Sequence, residues 1–529
     1  MNSRTSPREE TQIEPPEGAA FELAQGATLG SRYARLPIAA LFLAATLLGQ
    51  VPSTSYKVET VPGPRGIKPE VASIDFAPDG KLYVAFRRGY IYSFEPKTDT
   101  WRKFAEGLHT PLGIMAGEKN EFFVAQVPEL TRVVDTDDDG AADLFETITD
   151  GWGLSGNYHE YIAGPIRDGD GNFYISLGLA SGNADPREPV RGELSRKPRV
   201  APAPAEGKVN KIGHYSPVPY RGCSLKIDAN SGDVSVFSCG FRQPNGIVIS
   251  PEGDIFAVDN QGDWVGTSPL HHLTQDAFHG HPASLPWHPD FLGADPIAAD
   301  VAELDARRKR PAILFPQNDM GGSTAQPLFD LTDGAFGPYA GQLFLAEWTY
   351  PRIYRVFLEK VQGEWQGAAF PFIDGNGLRM ANNRLAFSPD GKALYVAQTS
   401  RIWGSTEGLQ RVVFQDRVPF DILSMELTKT GFDLTFTKPV DRESASEVSN
   451  YSFTHYYYLY HSTYGSPKTD VTPVKVRTAY VSDDGLKVSL TLDKLVPGKV
   501  FDLRPSNIVS AEGEQLVTGM AAYTLNRLR

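Results

Sequence analysis

SPEGDIFAVDN, residues 250–260, is the stretch on which the fold is read. A Pro-Glu-Gly turn leads straight into a short apolar run, the pattern of a hairpin turn feeding an inner β-strand. The same pattern recurs as APDGKLYVAF at 77–86, DGDGNFYISLG at 168–178 and SPDGKALYVAQ at 388–398. Looser copies are GEKNEFFVAQ at 117–126 and GPYAGQLFLAEW at 337–348. Most are followed by another strand-like run, such as YIYSF at 90–94, TRVVD at 131–135 and RIYRVFL at 352–358. Six similar units, spaced roughly 40 to 90 residues apart, predict an all-β chain built as a six-bladed β-propeller over 56–416. Two packed sandwiches, the rival all-β arrangement, would not need six like units. Segments 180–220 and 280–320 read as insertions, the first inside blade three and the second between blades four and five.

Working outward, the alternation in FDLTFTKPVD, KVSLTLDKL and VFDLRPSNIV predicts a small immunoglobulin-like β-sandwich over 417–529. Its odd feature is HYYYLYHSTYG at 455–465. Its aromatics would either sit half-buried in a sheet or stack on a sugar ring. At the other end, LPIAALFLAATLLG at 36–49 follows Arg32 and Arg35. It is short for a membrane span and reads as the apolar part of a signal peptide or an uncleaved anchor. A periplasmic or secreted location follows from that reading.

Composition is globular, with 41% hydrophobic and 22% charged residues, 50 Gly and 40 Pro in 529. A net charge of −13 argues against nucleic acid as a partner. It suits neutral ligands or cations, and simple solubility is the alternative. Only two cysteines are present, Cys223 and Cys239. They stand equidistant from the centre of an Asn-Ser-Gly-Asp turn, so they should face each other across a hairpin. A disulfide there fits an oxidising compartment, and two buried thiols are the alternative.

Three clusters could carry chemistry. Asp135, Asp137, Asp139 and Asp143 have calcium-loop spacing, with Gly140 at the sharp turn and Glu146 at the twelfth position. Strand-like flanks make this a calcium hairpin rather than a helix pair, and a solvated acidic turn is the alternative. His159, in Ser155-Gly-Asn-Tyr-His159, stands just before a strand, where an imidazole can act as general base. His271, His272, His279, His281 and His288 crowd into 18 residues, although their spacing matches no closed zinc pattern. Two of them could simply cap turns.

The remaining polar loops flank the opening stretch: Arg242-Gln243-Pro244-Asn245-Gly246 before it, and Asp259-Asn260-Gln261-Gly262-Asp263 at its end. GFRQPNGIVISPEGDIFAVDNQGDW resembles the glucose/sorbosone dehydrogenase family, soluble quinoproteins on a six-bladed propeller. HEYIAGPIRDGDGNFYISLG, FHGHPASLPWHP and RLAFSPDGKALYVA extend the resemblance over roughly 60–415. The resemblance implies oxidation of an aldose or related sugar aldehyde with pyrroloquinoline quinone (PQQ), calcium and an external electron acceptor. It makes His159 the base and Arg242 the cation that steadies the reduced quinone. Gln243, Asn245, Gln261, Thr349, Arg379 and Arg384 would hold the cofactor. The backbone carbonyls of Gly262 and Asp263 would hold the catalytic calcium. Two departures stand out. LFLAEWTYPRIYRV offers Glu347, Trp348 and Thr349 where the family has a cofactor-binding lysine, and the family's close arginine pair is spread to Arg379 and Arg384. A non-catalytic glycan- or protein-binding propeller, or a metal-dependent lactonase or hydrolase, are the alternative functions.

Overall fold

Each of the six turn-and-strand units becomes a hairpin in the computed structural model, which describes residues 54–182, 190–192, 213–291, 300–400 and 406–529. The turn joins the innermost strand of a blade to its second strand, so the quoted apolar runs are second strands rather than the innermost ones. Backbone geometry explains both the strong and the weak copies. Gly80, Gly171, Gly253, Gly341 and Gly391 all take positive φ at the turn, a conformation that costs glycine nothing. In GEKNEFF the same task falls to Asn120, at φ 60°, the side chain that tolerates this region best after glycine.

Blade one comprises Val71–Phe76, Leu82–Phe86, Tyr90–Glu95 and Thr100–Ala105. Blade two comprises Pro111–Ala116, Glu121–Gln126, Leu130–Val134 and Leu144–Thr149. Blade three pairs Ile162–Arg167, Phe173–Leu177, Cys223–Ile227 and Val234–Cys239, with Ala277–Phe278 added at its outer edge. Blade four is Gly246–Ile249, Ile255–Val258, Pro269–Leu273 and Ile313–Leu314. Blade five is Thr324–Phe329, Leu343–Glu347, Arg352–Val361 and Glu364–Asp374. Blade six takes Asn382–Phe387, Ala393–Gln398 and Gly408–Phe414 from late in the chain, and Tyr56–Val61 from early in it. That last pairing locks the ring, and each innermost strand contacts those of both neighbouring blades, blade six meeting blade one.

The insertion at 280–320 falls inside blade four rather than between blades. The chain leaves after Pro269–Leu273 and climbs the edge of blade three through Ala277–Phe278. It passes a short helix at Val301–Arg307 and returns to form the outermost strand, Ile313–Leu314. Cys223 and Cys239 are register partners and form a disulfide. The apolar run at 36–49 lies outside the described residues, among which no helix is long and apolar enough to cross a membrane.

Two sheets follow the propeller. One runs Ile422–Leu427, Gly431–Phe436, Lys487–Leu492, Val476–Val481. The other runs Ala521–Leu525, Lys499–Pro505, Tyr451–Tyr457, Thr469–Val474. Numbered along the chain these orders are 1-2-6-5 and 8-7-3-4, the ABED and GFC arrangement of an immunoglobulin sandwich with one extra strand. The second sheet does not stop at the sandwich. Gly367, Ala368 and Ala369 of blade five pair with Thr524, Tyr523 and Ala522, making one continuous eight-stranded sheet. Blade five therefore has no free outer edge.

Candidate functional site

Connections in an up-and-down blade alternate between the two faces of the ring, so those after the second and fourth strands share one face. His159, Arg242, Gln243, Asn245, Gln261, Gly262, Asp263, Thr349 and Arg379 all lie in such connections and are gathered on this upper face. Asp135, Asp137, Asp139 and Asp143 join the third and fourth strands of blade two, so they belong to the lower face.

Asp263 is the hub of the upper cluster and is buried. Its Oδ1 accepts from His214 Nδ1 at 2.7 Å and from Arg242 Nε at 3.2 Å. Its Oδ2 accepts from the His214 backbone N–H at 2.8 Å and from His281 Nε2 at 3.2 Å. Arg242 Nη2 in turn donates to His214 Nε2 at 3.2 Å. One set of tautomers satisfies every contact. His281 Nδ1 accepts from Ala283 N, so its Nε2 carries the proton given to Asp263. His214 gives its Nδ1 proton to Asp263 and accepts at Nε2. His159 Nδ1 faces the Leu179 carbonyl at 3.0 Å and must donate there, which leaves the Nε2 lone pair free of any partner among the described residues. The His159 and His214 rings lie 4.7 Å apart.

Electrostatics keep this arrangement. Burial alone would raise the Asp263 carboxyl, but the hydrogen bonds donated by His214 and His281 hold it well below the usual carboxylate range. Burial, then His214 and Arg242, push His159 well below an ordinary imidazole. Burial and the Arg242 charge bring His214 down to about 4. His159 is therefore neutral at pH 7 with an available lone pair, the state a general base requires.

Acid stability should show these shifts. Burial also lowers His271, to about 3, and His272, His279 and His455, so six histidines titrate below their unfolded value. Between that value, near 6.5, and the depressed folded ones, the unfolded chain binds more protons, so stability falls as pH falls. Asp75, raised to about 6 by burial, works in the opposite sense between about 6 and 4 and offsets part of this. We expect a net loss of stability from pH 7.5 to 5.0, because the lowered histidines outnumber the carboxyls that burial raises, Asp75, Asp259, Asp330 and Glu347. Urea midpoints at the two pH values measure it, and equal midpoints would contradict the neutral, buried histidines.

Other predicted residues are placed less favourably for a cofactor. Gly262 lies beneath Arg242; a Cβ there would fall 1.9 Å from Arg242 Nε, so only glycine lets the guanidinium reach Asp263. Its carbonyl, expected to face calcium, already accepts from Val265 N at 3.1 Å and Gly465 N at 2.9 Å. The Asp263 carboxylate is equally committed. Arg384 is buried in the axial channel, bonded to the Leu112 carbonyl of blade two, to Asn245 and to Asn383. Burial without a nearby carboxylate lowers its guanidinium to about 10. It bolts blades two, four and six together, and Asn245 is used in that bolt. Arg379 is not beside it but donates to the Glu407 carbonyl. The Thr349 N–H is held by buried Glu347, which also collects Gly322 N and Ser323 N. Gln243 packs on Gly178 with its Oε1 buried and without a partner among the described residues.

On the lower face, oxygens of Asp135, Asp137 and Asp139 lie within 4.8 Å of one another. Asp143 is instead drawn to Thr136 N and Oγ1, and Glu146 lies in the fourth strand, paired with Arg132. These three aspartates are the only metal-capable group of three or more among the described residues. The clustered histidines do not converge. His281 caps the short helix at Pro282–Trp287, His288 Nδ1 accepts from Asp290 N, and His272 pairs with Asp254. His271 and His279 pack against Phe241. A 620 Å³ cavity opens on the lower face between Asp75, Ile114, Ile247, Leu328 and Phe387, at the far end of the channel from His159.

Reading the sequence missed His214, His281 and the carboxylate role of Asp263, because no spacing links 214, 242, 263 and 281. It also missed what covers them. The loop after Tyr451–Tyr457 leaves the sandwich and lies on the propeller. Tyr464 bridges to Asp263 and stands 5.3 Å from the Arg242 guanidinium. The His461 carbonyl accepts from Trp264 N, and the Tyr460 hydroxyl donates to the Gly280 carbonyl.

A family model described as a domain of unknown function (DUF7133) matches residues 53–283. No curated protein matches the chain. Solved structures similar to it include the PQQ domain of pyranose dehydrogenase from Coprinopsis cinerea, at 14% identity and TM-score 0.46, covering 68% of this chain and 95% of that one. Aldose sugar dehydrogenase from Streptomyces coelicolor, in its PQQ-bound form, is 15% identical with TM-score 0.41, covering 69% and 99%. Regucalcin, a calcium-binding protein from Agrobacterium tumefaciens, is 12% identical with TM-score 0.38, covering 66% and 92%.

Proposed function

We propose that this propeller binds a saccharide on its upper face and deprotonates one of its hydroxyl groups, the proton-transfer half of a sugar oxidation. The observation that carries the reading is neutral His159, its Nδ1 proton tied to Leu179 and its Nε2 lone pair free, beside the Arg242–Asp263–His214 cluster. His159 would take the hydroxyl proton. Arg242, whose Nη1 has no partner among the described residues, would stabilise the alkoxide that forms. The sequence resemblance to sugar dehydrogenases supports the substrate class.

The PQQ–calcium pair implied by that resemblance does not fit the residues present. The Gly262 carbonyl is taken by Val265 N–H and Gly465 N–H, Glu347 stands where a lysine is expected, and Arg384 is locked in the channel. No step is therefore routed through it. Titrating the purified protein with PQQ, with and without calcium, measures this directly. The occupied carbonyl predicts that calcium leaves quinone affinity unchanged, and tightening by calcium would show that the loop opens. Dye reduction across an aldose panel with several electron acceptors tests the oxidation. Saccharide binding with no turnover on any acceptor would favour a non-catalytic glycan-binding propeller. A lactonase or hydrolase would need carboxylates converging on an ion near His159. Among the described residues the only such group is on the opposite face.

For Asp135, Asp137 and Asp139 we infer a calcium site of structural role, since it pins the turn between two strands of blade two. Calcium at a hundredfold excess over its dissociation constant should stabilise the protein by about 2.7 kcal/mol. Asp137→Asn with Asp139→Asn should abolish that rise in Tm without changing the upper-face chemistry. A calcium response surviving both substitutions would place the ion elsewhere.

A further inference from the structure

We propose that the cleft between the propeller and the loop at 458–468 is an oligosaccharide site, so that the group acted on by His159 belongs to a sugar chain rather than to a free monosaccharide. This rests on the saccharide reading above and adds the length of its substrate. The cleft measures 560 Å³, within the range of small-ligand sites. Gln261, Gln317, Asn318 and Asp319 of the propeller form one wall, and Tyr464 and Lys468 of the sandwich loop face them. Tyr464 lines the cleft and also stands against the Arg242 guanidinium, so the cleft adjoins the candidate site.

Three features select an uncharged polyhydroxylated chain. First, Tyr464 is 64% exposed although it is held in place, by the Arg242 guanidinium and by its bridge to Asp263. A fixed, exposed aromatic face is a platform for the C–H face of a pyranose ring. Second, the charges at the far end cancel. Lys468 bonds Asp319 at 2.6 Å and Asp502 at 3.2 Å, and Arg504 bonds Asp502 at 2.7 Å and Asp319 at 3.2 Å. Two cations closed on two carboxylates leave no net charge to recruit a phosphate or an ammonium ligand. Third, the walls offer planar amides, and the Gln317 Oε1 is buried without a partner among the described residues. An orphaned acceptor calls for a donor, and each sugar hydroxyl both donates and accepts. The sandwich would thereby supply half of the substrate site.

Calorimetry on the full chain tests this, with glucose against maltotetraose and cellotetraose, and xylose against xylotetraose. We expect at least one tetrasaccharide to bind about tenfold or more tightly than its monosaccharide. Tyr464→Ala should remove roughly three- to tenfold of that gain. Gln317→Ala, which does not touch Arg242, should lower tetrasaccharide affinity by a larger factor than monosaccharide affinity. Thermal melts confirm that both variants are folded. Equal affinity for short and long sugars in all three series, or native tetrasaccharide binding by both variants, overturns the proposal. Length-dependent binding without oxidation on any acceptor would sink the oxidation and keep the cleft. Oxidation of monosaccharides with no length dependence would do the reverse.

Discussion

Ending the chain at residue 416 is expected to leave no soluble, folded propeller, even though all six blades would be present in sequence. The reason lies in blade five. Arg355 is fully buried, and its partners are the Asp421 carboxylate at 2.9 Å and the carbonyls of Ile422 and Leu423. Removing those partners leaves Arg355 only Gln342 Oε1 and opens it to water together with the Phe370 ring on which it packs. Glu359 would lose Tyr523, Leu427 and Arg529 together. Val361, Ala368 and Phe370 belong to the sandwich core and would face water. Strand Glu364–Asp374 would gain a bare edge, which invites aggregation. These losses fall on a fold whose net stability is typically only about 5 to 15 kcal/mol. Comparing soluble yield and Tm of residues 54–416 and 54–529 decides the matter. A monomeric truncated form melting at the full-length Tm would show that the sandwich is an independent appendage.

His159→Ala is expected to lower turnover about 10²- to 10⁴-fold with little change in Tm. The ring makes one hydrogen bond, to the Leu179 carbonyl, and lies at the edge of the cluster rather than in its centre. Arg242→Met should behave differently, since it leaves Asp263 buried with only neutral histidines beside it. That variant should lose both turnover and stability, the latter by about 3 to 5 kcal/mol. Contrasting the two separates a group that acts on substrate from one that also holds the site together. Native turnover in His159→Ala would remove it from the mechanism.

Much of the architecture was legible because its signals are local. A glycine or asparagine at positive φ followed by a run such as Leu82–Phe86 specifies a hairpin within ten residues, and six of these imply a closed ring. Cys223 and Cys239 were readable as hairpin neighbours because one short turn separates their strands, while a bulge between Ser224 and Leu225 supplies the exact register that pairs them. The blade-four insertion was misplaced because Ile313–Leu314, a two-residue strand, is too short to register as a period.

The sequence by itself determined the six hairpins, the facing of two cysteines across one of them, the alternating strands of the sandwich and the presence of His159 and Arg242 before two innermost strands. Tertiary structure alone decided what those groups face. It brought His214 and His281 to Asp263, filled the Gly262 carbonyl with Gly465 N–H, and laid Tyr464 on Arg242 from some two hundred residues away. Periodicity and turn chemistry report conformations over a few residues, whereas a carbonyl's second hydrogen bond or a carboxylate's fourth donor depends on which distant loop packs there. For this chain that distant loop comes from the sandwich, and its Gly465 N–H occupies the Gly262 carbonyl that was expected to face calcium.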